Sequence, residues 1–170
     1  MPQHLILIGF MAAGKTTLGQ QAAKALQWPF LDLDQWIEQQ ARRSITEIFA
    51  AEGELAFRAR EKEAILHLDD LTKPHVVATG GGLPCQGDHM QQLLQRGKVV
   101  YLKPAREVLL SRLLAMREHR PMLSQVSAED LPAHIDELLS QREDFYGQAH
   151  VTLSDENLTA ENLQQAATSF

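Results

Sequence analysis

The stretch HLILIGFMAAGKTTLGQQAAKAL, residues 4–26, decides how this chain reads. Residues 5–8 are an apolar run suited to a buried strand. Gly9-Phe10-Met11-Ala12-Ala13-Gly14-Lys15-Thr16 follows with the pattern G-x-x-x-x-G-K-[ST], and Leu18, Ala22, Ala25 and Leu26 then share one face of a helix. Strand, glycine-bounded turn and helix in this order make a phosphate-binding P-loop. Gly9 and Gly14 let the backbone fold back so that successive N–H groups point inward, and the helix N-terminus adds partial positive charge at the same spot. Lys15 is expected to reach the β- and γ-phosphates of a nucleoside triphosphate, with the Thr16 hydroxyl on Mg²⁺.

Outside this stretch the chain reads as one α/β domain. Its 170 residues are enough for a single core without staples. A hydrophobic share of 44% and a charged share of 22% are those of a globular protein. A net charge of −6 argues against a nucleic-acid partner, although a few local cations can still make a cleft attractive to anions. Cys85 is the single cysteine, which excludes an internal disulfide and suits a reducing compartment. No apolar run approaches the roughly 18 residues of a membrane span, and the start of the chain lacks a secretory signal. Cytoplasm is the expected location, with no membrane partner. The seven histidines lack metal-ligand spacing and receive no role.

Strand and helix signals alternate throughout, so a parallel sheet covered on both faces is expected. Residues 28–34 read as a short strand ending in Asp32 and Asp34. Alternation puts both carboxylates on one side, beside the P-loop, if the strand stays extended that far. Asp34 also stands where it would cap a helix opening at Trp36 and Ile37. Ser44-Ile45-Thr46-Glu47 is a capping box for a short helix with Ile45, Ile48 and Phe49 facing in. Gly53 breaks it, and a second helix follows over residues 54–68. There Arg58 has Glu54 and Glu61 at helical spacing, a solvated ladder unless function claims it. A strand over residues 75–79 runs into Gly80, Gly81 and Gly82. Three glycines cost conformational entropy and make sense where a ligand or another backbone comes close.

A helix over residues 88–96, a strand over 99–102 and a helix introduced by Pro104 follow. The polar segment at about 116–126 then concentrates Arg117 and Arg120 behind Arg112, the pattern of a mobile lid over phosphates. The capping-box form at Ser127 opens a helix reaching Gln141 and Arg142, and residues 151–153 are a fifth strand. A turn over 154–157 and an amphipathic helix over 158–170 close the chain. A donor loop, a nearby carboxylate and arginines apart from the loop suggest phosphoryl transfer to an anionic acceptor. Arg58 and Arg142 are the natural carboxylate forks, with Glu61 fixing the rotamer of Arg58.

GFMAAGKTTLG, DLD at 32–34, GELAFRAREKEA from Gly53, ATGGG from Ala78, RPML from Arg120 and QREDFY from Gln141 together resemble the shikimate kinase family. The motifs occur in the family's order and cover nearly the whole chain, and the block around Arg58 is far more specific than the P-loop. The resemblance implies a P-loop kinase sheet of five parallel strands in the order 2-3-1-4-5. It implies transfer of the ATP γ-phosphate to the 3-hydroxyl of shikimate, with ATP and Mg²⁺. A monomer is expected on separate grounds, since no strongly apolar surplus face stands out in the sequence. Position by position, Ala12, Ala13, Gly14, Lys15, Thr16 and Thr17 would hold the nucleotide phosphates. Arg112 would lie against adenine, and Arg120 would meet the phosphates from the lid and act with Lys15 in catalysis. Asp34 would contact the accepting hydroxyl as base. Arg58 and Arg142 would clamp the carboxylate over Gly80, Gly81 and Gly82, with Gly81 contacting substrate through its backbone. Thr16 would ligate Mg²⁺ and Asp32 would hold it through water. Two positions depart from the family: Ala12 stands where Gly is usual and Leu33 where Ser or Thr is. Ala12 matters if its φ is positive, and Leu33 should face away from the cleft. The competing readings are another small-molecule kinase of this fold, of gluconate or nucleoside monophosphate type, and a non-catalytic P-loop regulatory module.

Overall fold

Five strands, all parallel, form the sheet in the spatial order β2-β3-β1-β4-β5, as expected from the resemblance. The structure, a computed structural model, describes residues 3–117 and 121–169, the side chains of residues 121 and 122 excepted. The strands are β1 His4–Ile8, β2 Phe30–Asp32, β3 Val76–Ala78, β4 Gly97–Lys103 and β5 Val151–Ser154. Helices α1 Lys15–Leu26, α2 Leu33–Ala41, α3 Ile45–His67 and α4 His89–Arg96 come from the first half of the chain. Helices α5 Arg106–Met116, the single turn α6 Pro121–Ser124, α7 Leu131–Tyr146 and α8 Ala160–Thr168 come from the second.

Strand β1 sits at the centre with helices on both faces, so Leu5, Ile6, Leu7 and Ile8 are all fully buried. Each such side chain contributes roughly 1.5–3 kcal/mol by leaving water. Alternation then splits the core in two. Leu5 and Leu7 join Val100, Leu102 and the apolar faces of α1, α5, α7 and α8 on one side of the sheet. Ile6 and Ile8 join Val77, Val99, Tyr101 and the faces of α2, α3 and α4 on the other. Gly19 lets α1 lie close, because a Cβ there would stand 2.7 Å from the Phe30 ring.

Several boundaries differ from the sequence reading. Strand β2 stops at Asp32, and Leu33 is already the first residue of α2. The same-side placement of Asp32 and Asp34 by strand alternation therefore does not hold, and the helix cap is Asp32, whose side chain accepts from two backbone N–H groups. Leu33 does face away from the cleft, fully buried in the core, but as the first residue of a helix rather than by strand alternation. Helix α3 is interrupted at Gly53 (φ +82°), where the break was expected, and its Ser44–Glu47 capping box forms. At Ser127 the hydroxyl accepts the Asp130 N–H, yet this makes a turn, and α7 opens only at Leu131. Helix α8 begins at Ala160, capped by the Thr159 hydroxyl, two residues later than the amphipathic pattern suggests.

Candidate active site

The P-loop is built on three positive-φ residues, Gly9 (+148°), Ala12 (+64°) and Gly14 (+97°), which curl the backbone so that its N–H groups line a concave surface. A Cβ at Gly9 would fall 2.6 Å from the Leu102 carbonyl oxygen of β4, so the chain leaves the sheet there only as glycine. Ala12 is the residue at which the departure from the family has a physical consequence, since its left-handed backbone is strained for an L-residue. The Lys15 ammonium spans the loop, donating to the carbonyls of Gly9 (2.6 Å) and Phe10 (2.8 Å). From α5, Arg112 Nη1 donates to the Ala12 carbonyl at 2.8 Å, which places this arginine on the loop itself. Ala13 is buried beneath the loop, and Thr16 and Thr17 are exposed in the first turn of α1.

Asp32 joins this donor half to the rest of the cleft. Its Oδ2 accepts the Thr16 hydroxyl at 3.2 Å, while its Oδ1 accepts the N–H groups of Asp34 (3.0 Å) and Gln35 (3.2 Å) and so caps α2. A hydroxyl and a carboxylate side by side at the end of a P-loop suit Mg²⁺, which takes one or two protein oxygens and completes its octahedron with phosphates and water. Among the described residues no group of three or more His, Cys, Asp or Glu side chains converges as a metal cage.

Beside the loop lies a cavity of about 580 Å³. Gly80, Gly81 and Gly82 form its floor, and each glycine lies beneath a different functional side chain. A Cβ would stand 2.7 Å from Asp34 Oδ1 at Gly80, 3.3 Å from Arg142 Nη1 at Gly81, and 3.4 Å from Arg58 Nη1 at Gly82. The backbone approach that the glycine run predicts is therefore to protein carboxylate and guanidinium groups. Arg142 also lies over the Phe10 ring, 5.2 Å from its centroid, and Arg58 over the Phe57 ring at 5.4 Å. Arg142 Nη1 and Arg58 Nε are buried with no protein acceptor among the described residues. Both arginines line the cavity and bring fixed positive charge to its wall, which suits an anion.

The ladder around Arg58 is not a solvated one. Arg58 Nη1 donates to Glu61 Oε2 at 2.8 Å, and the Glu61 side chain is 2% exposed. Burial pushes the Glu61 carboxyl up to about 6, although Arg58 pulls it back; the Asp34 carboxylate adds to the rise. Glu54 holds Nη2 from the solvent side at 3.3 Å. Under the floor, Cys85 is partly buried and its thiol is pushed up to about 11 by that burial. It is a poor nucleophile at neutral pH.

Asp34, Arg58, Arg142 and the three glycines thus meet in one cavity, next to the loop carrying Lys15 and Thr16. Arg120, expected in the lid and in catalysis, lies outside the described residues. Beyond it, Leu123 and Gln125 line the cavity wall. Residues over 154–157 form a short 3₁₀ turn at Asp155–Asn157. The sequence reading missed the apolar wall of Met11, Ile45, Phe49 and Phe57. Helical spacing places Ile45, Ile48 and Phe49 in the core alike, but only Ile48 is fully buried, and the other two turn to the cavity.

Fold and cleft together define a P-loop kinase, with a phosphate loop opening onto a separate cavity lined with arginines and an aspartate. A family model described as shikimate kinase matches residues 11–170, and the chain belongs to the shikimate kinase family. A shikimate kinase of Parabacteroides distasonis is 39% identical over 160 residues, spanning 94% of this chain and 92% of the relative. The crystal structure of shikimate kinase from Bacteroides thetaiotaomicron superposes with a TM-score of 0.84 at 34% identity, covering 94% of this chain and 93% of that one. Shikimate kinase from Acinetobacter baumannii, solved in complex with shikimate, gives 0.83 at 37% identity, covering 97% and 90%.

Proposed function

We propose that this chain phosphorylates the 3-hydroxyl of shikimate with ATP, giving shikimate 3-phosphate and ADP. The observation that carries the reading is the pair of guanidinium groups, Arg58 and Arg142, held over a glycine floor beside Asp34 and one loop away from Lys15. Shikimate offers a carboxylate to one end of such a cavity and hydroxyls to the other. Arg58 and Arg142 bind the carboxylate, which anchors the ring and leaves its 3-hydroxyl toward Asp34. Asp34 accepts the hydroxyl proton as the oxygen attacks the γ-phosphorus and the β–γ bridging oxygen departs with ADP. Lys15 and the N–H groups of residues 12–17 hold the charge that shifts to the phosphates. Thr16 and Asp32 would hold Mg²⁺, which would supply positive charge against the transferring phosphate. Arg112 braces the loop from the nucleotide side, and Arg120 acts on the phosphates from a lid over residues 116–126. The protein works as a single-domain monomer in the cytoplasm; no helix among the described residues is long and apolar enough to cross a membrane.

A coupled ADP-release assay with shikimate, gluconate and nucleoside monophosphates tests this. Stimulation by shikimate alone is expected, and no stimulation by shikimate refutes it. Arg58→Ala removes one charge-assisted anion contact of roughly 1.5–3 kcal/mol, so the KM for shikimate should rise at least tenfold with the KM for ATP unchanged.

A further inference from the structure

The glycine floor is held from below by one side chain whose role the proposed reaction does not yet use. Tyr146, in the last turn of α7, is fully buried, and its hydroxyl donates to the Gly81 carbonyl at 2.6 Å. Its ring packs against Tyr101 of β4 at 4.9 Å, so the phenol has no room to swing away. Gly81 and Gly82 line the cavity and Tyr146 does not, which means the Gly81 carbonyl points out of the cavity. Every peptide bond among the described residues is trans, and in a trans peptide the C=O and the following N–H point in opposite directions. The Gly82 N–H is therefore turned toward the cavity. Burial raises the Tyr146 phenol well above its ordinary value, so it remains protonated and remains a donor.

We propose that Tyr146 is a positioning residue for the acceptor site: by fixing the Gly81 carbonyl it presents the Gly82 N–H as a rigid hydrogen-bond donor to the bound substrate. The inference rests on the shikimate reading above. Arg142 lies one helical turn before Tyr146, so α7 carries both the guanidinium above the floor and the hydroxyl beneath it. Without the Tyr146 hydroxyl the carbonyl has lost its partner, and a peptide flanked by glycines is free to rotate. The floor would then be present but not aimed.

Tyr146→Phe keeps the ring and deletes only the hydroxyl. The dissociation constant of shikimate, measured by calorimetry, should weaken on the order of tenfold, with the KM for shikimate rising in step and the KM for ATP unchanged within twofold. Equal losses for both substrates would indicate general loosening and overturn the proposal, as would unchanged shikimate binding. A second readout uses the wild type: on adding shikimate, the ¹⁵N-labelled Gly82 amide should shift and its exchange with solvent should slow. No perturbation of that amide overturns the proposal even if the variant fails to fold. Wild-type protein that binds no shikimate at all is a separate outcome, which removes the shikimate reading and this inference with it.

Discussion

Glycine at position 80 is required by a neighbouring carboxylate rather than by its own backbone. A methyl group there would stand 2.7 Å from Asp34 Oδ1, and a side chain as short as aspartate has little slack to move away. Gly80→Ala should therefore displace the proposed base by a fraction of an ångström to about 1 Å and lower kcat on the order of 10²-fold. Shikimate binding should change little, which steady-state kinetics with calorimetry will read. Ala12 is the opposite case, a side chain where the backbone favours none. Its φ of +64° costs roughly 1 kcal/mol that glycine does not incur, partly offset by the greater freedom of glycine in the unfolded chain. Ala12→Gly should accordingly raise the melting temperature by no more than about 2 °C, as thermal denaturation will show.

Helix α3 shows how far a sequence carries such an assignment. Its capping box, its break at Gly53 and the spacing of Glu54, Arg58 and Glu61 are all legible, because each rests on neighbours within one or two turns. What sequence spacing does not distinguish is a helix face on the core from a helix face on a cavity, since both call for apolar residues. Ile45 and Phe49 were legible as inward and not as cavity wall for that reason. The strand ending at Asp32 failed similarly: whether Leu33 extends the strand or opens a helix depends on the Asp32 carboxylate capping α2, a competition between two local structures that Leu33 itself does not settle. Glu61 yields the prediction at this scale. In the folded protein its carboxyl titrates at about 6 against 4.5 for a free glutamate. Between those values the folded chain keeps a proton that the unfolded chain releases, so stability falls as pH rises through the window. The full effect is about 2 kcal/mol, present above pH 6 and absent below 4.5. Unfolding free energies of Glu61→Gln and wild type, from urea melts, should diverge in favour of the variant by that amount between pH 4 and 7.5, while the variant's KM for shikimate rises as Arg58 loses its charged partner.

The two ends of the sheet have opposite chemistry. The C-terminal edge gathers the loop, the carboxylates and the glycine floor; the N-terminal edge is held partly by histidines. His4 Nδ1 accepts the His75 N–H at 3.1 Å, and His150 Nδ1 accepts the Val99 N–H at 3.0 Å. Each bond needs a neutral imidazole, and burial lowers the titration of both rings below the ordinary histidine value. As pH falls below about 6.5 the unfolded chain takes up protons that the folded chain refuses, so stability is lost on acidification. His4→Asn with His150→Asn, which keep an acceptor without the titration, should lose less urea stability than wild type on going from pH 7.5 to 5, as paired urea melts at the two pH values will show. The glycine floor bears on the molecule as a whole. A side chain at any of the three floor positions would press on Asp34, Arg142 or Arg58, so substitution there disturbs the charged groups before it reshapes the cavity. Selection for a different acceptor, in nature or in the laboratory, is channelled into the walls at Ile45, Phe49 and Leu123. Variants with a new substrate range will therefore concentrate their changes in α3 and around Leu123, with residues 80–82 unaltered.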